Sequence, residues 1–410
     1  MSLLDKASLI VTPNGFKASK LYSVIPSTGA GDMDVTRATT ATRVNSTGLI
    51  ESVATNVPRI DYLNSSCPSI LVEPQRTNVQ TYSEDFSNAI YLQIGTTVTT
   101  NAIVAPNGTT TADKIVEDTS TGFHTIDILN PPVVAGSYTV SVFVKAAERT
   151  KFQILGFFAL TGNVNFDLIA GTATTTAPAL NGRIENYGNG WYRCQATFTD
   201  LTGVGSQILF NILNNAGSNS YTGTAGSGLY LWGAQLELGS YSTSYIPTTS
   251  ASVTRNTDVI SKTGITSLIG QTEGTIFLDV KAQLNSADEQ DFSISDGTTN
   301  NRAFIRLASS GVIRAIGVFA GNTEFNIGST AYTTGTRYKI ALAYKNNDVI
   351  LYINGTSAAS TSTTTISGTL SRLGFDVFTN GAQTIVSPVN SAILFKTRLS
   401  NSELAQLTTI

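Results

Sequence analysis

Charge is what this sequence has least of. Asp, Glu, Lys and Arg make up 13% of its 410 residues, where an average soluble protein carries about 25%. The net charge of −3 comes with no basic run, so the electrostatic footprint of a nucleic-acid partner is missing. Histidine occurs once, as His124, which excludes a His-dense metal site and any scheme needing two histidines. No Gly-x-Ser-x-Gly elbow accompanies it, so a Ser-His-Asp triad is not expected, and His124 reads as a surface or hydrogen-bonded side chain. The two cysteines, Cys67 and Cys194, are too few for a disulfide framework. Free buried thiols are the expected state, and a single bridge between them is the alternative. Apolar runs are short. The most apolar window, Phe152–Leu160, cannot span a bilayer. The opening MSLLDKASLIVTPNG has no apolar stretch of signal-peptide length and carries Asp5 early. Neither membrane insertion nor export by that signal route is expected.

Polarity must instead come from Thr, Ser, Asn and Gly, residues that suit strands and tight turns, whereas exposed helices depend on Glu, Lys and Arg. The length favours two or three domains. The predicted fold is all-β, with tandem β-sandwich (jelly-roll) modules after an irregular N-terminal attachment arm. The expected divisions are residues 1–80, 81–247 and 248–410.

In the first segment, apolar pieces such as Leu9–Val11, Leu21–Ile25 and Ile70–Val72 alternate with turn residues and are too short to bury much surface alone. It reads as an extended arm packed on something else or as a partner-dependent subdomain. Arg37, Arg43, Arg59 and Arg76 are spaced singly. They either bridge to backbone carbonyls and carboxylates such as Asp34 and Asp61, or dock into a neighbouring subunit, the reading preferred here. The second segment shows clear strands. Ser137–Lys145 alternates strictly, with Tyr138, Val140, Val142 and Val144 on one face, as a half-buried strand requires. Lys151–Leu160 and Gln207–Leu213 read as further strands, and Asn189-Gly190 is a turn before Trp191. In the third, Ile276, Leu278 and Val280 share a face, as do Tyr338, Ile340, Leu342 and Tyr344. Asn346–Asp348 and Asn354-Gly355 are turns. Ser400 and Glu403 form a capping-box pattern, predicting a short terminal helix that packs Leu404 and Leu407 on the sandwich. Between the last two segments, Leu229–Thr257 reads as a closing strand carrying Trp232, followed by a connector from Pro247 to Arg255. Its Val-Thr-Arg ending repeats Val35-Thr36-Arg37, which suggests two equivalent handovers between modules.

The wording TPNGFKASKLYSVIPSTGAGDMDVTRATTATRVNSTGLIE, followed by ILVEPQRTN and YSEDFSNAIY, resembles the amino-terminal part of bacteriophage tail and virion-surface proteins. GSYTVSVFVKA, GNGWYR and LYLWGAQLELGSYSTSYIPT are similar to carbohydrate-binding-module-like β-sandwiches in such proteins. GTIFLDVKA, YKIALAYKNNDVILYINGT and AILFKTRLSNSELAQL resemble the concanavalin A-like lectin or laminin-G family. The resemblance implies a structural virion protein, a tail or head fibre or decoration, that contacts host-surface glycans. It would be made in the host bacterial cytoplasm and joined to other virion proteins through its N-terminal region.

Glycoside hydrolysis needs two carboxylates roughly 5–9.5 Å apart across a cleft. Concanavalin A-like hydrolases place their acids on alternate positions of one strand. The comparable strand here offers only Asp279, with Glu273 six residues away, so a polysaccharide depolymerase is the lesser alternative and no catalytic residue is assigned. Asp288, Glu289 and Asp291 read as a solvated polar loop. Asp279, Asp296, Asp348 and Asp376 lie near turns but lack the dense spacing of a calcium loop, so neither metal nor cofactor is expected. Sugar binding would use an exposed aromatic ring plus amide or carboxylate groups. Tyr187, Asn189 and Tyr192 are the candidates in the middle segment, and Tyr332 and Tyr352 in the last. Tyr344 is a third aromatic there, and Trp191 and Trp232 read as core. Weakly charged Thr/Ser/Ala-rich faces pack on identical copies without repulsion, so a homo-oligomer, with a trimer as the expected state, is predicted. A purely structural virion component that binds no glycan is the other alternative.

Overall fold

The structure is a computed structural model. It describes every residue except 1, 2, 130, 132, 133, 159–161, 202–205, 284–288 and 377–385. Among the described residues the chain is all-β apart from short 3-10 turns and one terminal helix.

The strict alternation around Val140 produces the strand Gly136–Ala146, which puts Tyr138, Val140, Val142 and Val144 into a core. Its other face is buried as well, which corrects the half-buried expectation. Thr139, Ser141 and Phe143 are covered because the chain beyond Leu238 folds back over them. Thr139 Oγ1 donates to Gly239 O at 2.9 Å, and the Arg193 guanidinium lies 5.3 Å from the Phe143 ring centroid. This strand is internal to a six-stranded antiparallel sheet that runs Thr96–Ile103, Ala112–Glu117, Gly228–Leu238, Gly136–Ala146, Trp191–Leu201, Leu180–Asn186. A second six-stranded sheet faces it, running Thr172–Thr176, Asn163–Asp167, Lys151–Phe158, Ser206–Leu213, Thr125–Leu129, Tyr91–Ile94. Phe152, Ile154, Phe166 and Phe210 from the second sheet pack on Val140, Ala196 and Leu236 from the first. The core of this sandwich runs from Phe86 to Leu236, one continuous stretch of chain.

The other sandwich is assembled differently. Its strands belong to one sheet of 16 strands among the described residues. The sheet curls so that Phe292, Ile305 and Ile313 from one part share a core with Leu278, Ile340 and Leu342 from another. In the middle of its order, between Val259–Thr263 and Val389–Phe395, stand Met33–Thr36, Lys20–Ile25 and Leu9–Lys17. Leu9, Val11, Leu21, Met33 and Val35 are almost fully buried there. The expectation of an irregular arm is therefore corrected. These short pieces do need a partner to be buried, as their length implied, but the partner is the far end of their own chain. The terminal helix, Asn401–Thr408, forms as predicted. Ser400 and Glu403 make a reciprocal capping box, and Leu404 is fully buried with Leu407 packed beside it.

The preference for docking arginines is corrected too, at Arg37 and Arg59, which are wholly buried within this chain. Arg37 pairs with Asp258 at 2.7 Å. Arg59 pairs with Asp258 and with Glu73, the latter at 2.7 Å. Arg255 reaches the same Glu73 at 2.7 Å. The two Val-Thr-Arg triplets thus deliver their arginines to one buried cluster. Burial alone would raise Glu73, but Arg255 and Arg59 outweigh it and hold the carboxyl well below its ordinary range.

Candidate functional site

The Asn189-Gly190 turn forms as read, with Asn189 at φ 51° and Gly188 and Gly190 also in the left-handed region. It returns the edge strand Leu180–Asn186 to Trp191, so that Arg183 and Glu185 stand on the outer face of their sheet beside Arg193. Tyr187 follows them, its ring edge-on to Phe143 at 4.8 Å and 89°. The segment Tyr241–Tyr245 crosses the same face. Arg193 Nη1 donates to Thr243 O at 2.6 Å, and Thr243 N donates to Glu237 at 2.9 Å. Ser244 N donates to Glu73 at 2.8 Å, which fastens the crossing to the buried ion cluster.

These groups form one wall of a cleft of about 650 Å³, a volume in the range that holds small ligands. Residues around Asp61 form a second wall. Lys281, Gln283, Arg337 and Asn390 of the composite sandwich form the third. Arg183 ties the first wall to the third, with Nη1 donating to Gln283 Oε1 at 2.9 Å and Nη2 to Glu185 at 2.7 Å. Tyr241 stands at the first wall with the Arg76 guanidinium 5.3 Å from its ring centroid.

The carboxylates here are engaged. Asp61 accepts from Val44 N at 2.7 Å and from Leu63 N at 3.0 Å. Burial pushes its carboxyl above the ordinary value despite those two donors. Glu73 is held by two arginines and Ser244, and Glu185 by Arg183. Asp279, behind the third wall, receives Arg337 through both oxygens and Asn390 Nδ2 at 3.2 Å. The arrangement can hold a polar ligand between two tyrosine rings and planar donor groups.

Of the residues singled out in the sequence, Tyr187 lines this cleft. Asn189 is exposed on a smaller hollow of about 150 Å³ that Tyr187 also borders. Tyr192 points the other way and packs on the middle core. Tyr332 and Tyr352 are each only 8% exposed. Tyr332 donates to Ala308 O at 3.0 Å, and Tyr352 lies in the core under the terminal helix. A stacking platform needs an exposed ring, so both leave the candidate set. Tyr344 is buried and donates to Gly270 O at 2.7 Å. Trp191 and Trp232 are core residues, as read, and donate to Val104 O and Thr111 Oγ1, each at 3.1 Å.

The remaining readings resolve locally. His124 is buried rather than at the surface, and both ring nitrogens face carbonyl oxygens, Gly95 at 2.8 Å and Tyr221 at 3.3 Å. Asp291 is not solvated. It is buried and bidentate with Arg306 at 2.8 Å, and burial pushes it up to about 6. Glu289 accepts from Ser309 N at 2.9 Å, and Asp288 lies outside the described residues. Asp348 and Asp376 pair with Arg398 and Arg372, and Asp296 closes its own turn through Thr298. Both cysteines are free, Cys194 buried as expected and Cys67 exposed. No group of three or more His, Cys, Asp or Glu among the described residues could hold a metal.

Sequence reasoning missed Tyr241, Asp61, Lys281 and Arg337. Each looks ordinary in its own segment, and only the convergence of three segments gives them a common role.

No protein-family model and no curated protein matches the sequence. Parts of the chain are similar to solved structures. One is the CBM40 of the Ruminococcus gnavus IT-sialidase bound to α2,3-sialyllactose, at 18% identity and TM-score 0.30, over 34% of this chain and 84% of that one. Another is the receptor-binding domain of botulinum neurotoxin type G, at 12% identity and TM-score 0.29, over 37% and 39%. A third is a SAP-like pentraxin of Limulus polyphemus, at 14% and 0.26, over 33% and 68%. Likenesses at these scores say nothing of what this chain binds.

Proposed function

We propose that this chain is a non-enzymatic glycan-binding protein that works as a homo-oligomer on a virion surface, with the three-walled cleft as its glycan site. The observation that carries the binding reading is the cleft itself. Two tyrosine rings, suited to the CH faces of a sugar, stand among guanidinium, amide and carboxylate groups suited to its hydroxyls. Binding without bond cleavage is supported by the carboxylates. Asp61, Glu73 and Glu185 all have partners, whereas hydrolysis needs an acid and a base or nucleophile free to face the substrate. The phage-like wording of the N-terminal segment and of Leu229–Pro247 supports display on a virion. An edge strand, Tyr91–Ile94, with Leu92 and Ile94 about 40% exposed, supports self-association.

A glycan array probed with the full chain and with Tyr241→Ala tests the reading. The full chain is expected to give discrete signals that the variant loses while its thermal unfolding stays cooperative. Uniformly blank arrays would sink the glycan reading and leave a purely structural component. Release of reducing ends from a bound polysaccharide would overturn the non-enzymatic part.

A further inference from the structure

Charge accounting around the cleft is nearly closed. Arg43 pairs with Glu51 at 2.7 Å and Arg183 with Glu185 at 2.7 Å. Arg59 and Arg255 share Glu73, and Arg37 shares Asp258 with Arg59. Arg337 has Asp279. Two cleft cations have no carboxylate partner among the described residues: Arg193, which is buried and donates to Thr243 O and Ser141 Oγ, and Lys281, which lines the third wall and is only half-buried.

Its placement makes this unusual. Lys281 sits directly across from Arg337 in the antiparallel pairing of Glu273–Lys281 with Arg337–Lys345, and Asp279 sits across from Lys339. Residues directly opposite in such a pair project to the same face, and like charges there are destabilising. The lone carboxylate of the group, Asp279, is taken up by Nε and Nη2 of Arg337. Lys339 is drawn away, donating to Thr409 O at 2.7 Å. A protein with so few charged residues has thus set two cations opposite one another at the wall of this cleft. Asp279 pairs with Arg337, so the charge at this wall left without a counter-charge among the described residues is that of Lys281, and a ligand can supply it.

We propose that the cleft takes an acidic saccharide, whose carboxylate or sulfate is received between Lys281 and Arg337 while its ring lies toward Tyr187 and Tyr241. This rests on the glycan-binding reading and narrows it to one charge class. Only Lys281 needs changing to test it, because among the described residues it holds no other group in place.

The experiment is titration calorimetry of the full chain, wild type and Lys281→Gln, with three probes at low and high salt. The probes are an oligogalacturonate for the carboxylate, a carrageenan oligosaccharide for the sulfate and maltotetraose as the uncharged control. The wild type is expected to bind one or both acidic probes more tightly than the neutral one, with affinity falling as salt rises. Lys281→Gln is expected to lose at least tenfold in affinity for the acidic probe, with a melting temperature unchanged or raised because the like-charge pair is relieved. Which acidic probe binds identifies the anion. Equal binding of neutral and acidic probes, or acidic binding that Lys281→Gln leaves intact, overturns this inference while the glycan reading stands. Failure of all three probes, together with blank arrays, overturns both.

Discussion

The two sandwiches of this chain solve the same packing problem in opposite ways. The middle one draws its core from a single stretch, Phe86 to Leu236. The other inserts strands from residues 9–36 into the centre of a sheet otherwise built from residues 259–395. One takes its core from its own segment, whereas the other takes strands from both ends of the chain. The difference also decides where the site is. A cleft with three walls arises because the chain leaves the composite sandwich, builds the middle one and returns, and the buried arginine cluster marks the crossing.

The sharpest way to break this comparison is deletion. Removing residues 1–80 takes Leu9–Lys17, Lys20–Ile25 and Met33–Thr36 out of the middle of the long sheet. The remaining 248–410 portion is expected to lose cooperative unfolding altogether, while an 81–247 fragment keeps its core and a sigmoidal melt. Circular dichroism of the two fragments checks this. A sharp transition in isolated 248–410 would refute the composite assembly.

Next in size is the crossing itself. Glu73→Gln leaves Arg59 and Arg255 without their shared counter-charge, a change expected to cost about 3–5 kcal/mol, read from denaturant midpoints. Glu73 is held below its unfolded value, so its contribution is present at neutral pH. It is lost as pH falls below about 4 toward the folded value. The variant's stability should therefore lose part of the parent's acid dependence. An unchanged denaturation profile would mean the cluster does not join the modules.

A smaller effect separates the two cores. Asp127 in the middle sandwich is buried with Thr125 and Gln207 as its side-chain partners among the described residues, and burial pushes it up to about 6. An unfolded aspartate titrates near 3.9, so the folded state binds the proton more tightly. Stability then falls as pH rises from about 4 through about 6. Asp127→Asn is expected to gain about 2 kcal/mol at pH 7 and nothing at pH 3. Asp291 and Asp376 of the composite sandwich are raised to about 6 as well but are paired with Arg306 and Arg372. The same substitution there should bring no comparable gain, since it strands an arginine. Equal gains at all three sites would erase the contrast.

The mildest change is at the terminal helix. Ser400→Ala removes the capping acceptor and should cost about 1 kcal/mol, confined to the composite sandwich and visible as a shift of its melting transition alone.

Much of the local structure was legible from the residues. Alternation of period two around Val140 and Ile340 signalled strands. Asn189-Gly190 and Asn354-Gly355 signalled turns whose asparagines adopt φ of 51° and 47°, and Ser400 with Glu403 signalled a helix start. Of the residues lining the candidate cleft, Tyr187 alone was singled out from the sequence as a ligand candidate, and it sits where its turn places it. Tyr332 and Tyr352 misled because a tyrosine in a strand reads alike whether its face meets solvent or, as here, another layer.

By itself, then, the sequence determined the strand content, the positions of the turns and the terminal cap. Each of these follows from dihedral preference and side-chain alternation among neighbouring residues. Tertiary structure alone decided that the first strands complete the last sandwich. It also brought Arg59 to Asp258 across 199 residues and set Lys281 and Arg337 at one wall of a cleft facing Tyr187. Pairings over such separations leave no periodic trace in either partner's neighbourhood, because the contact depends on where two distant strands meet.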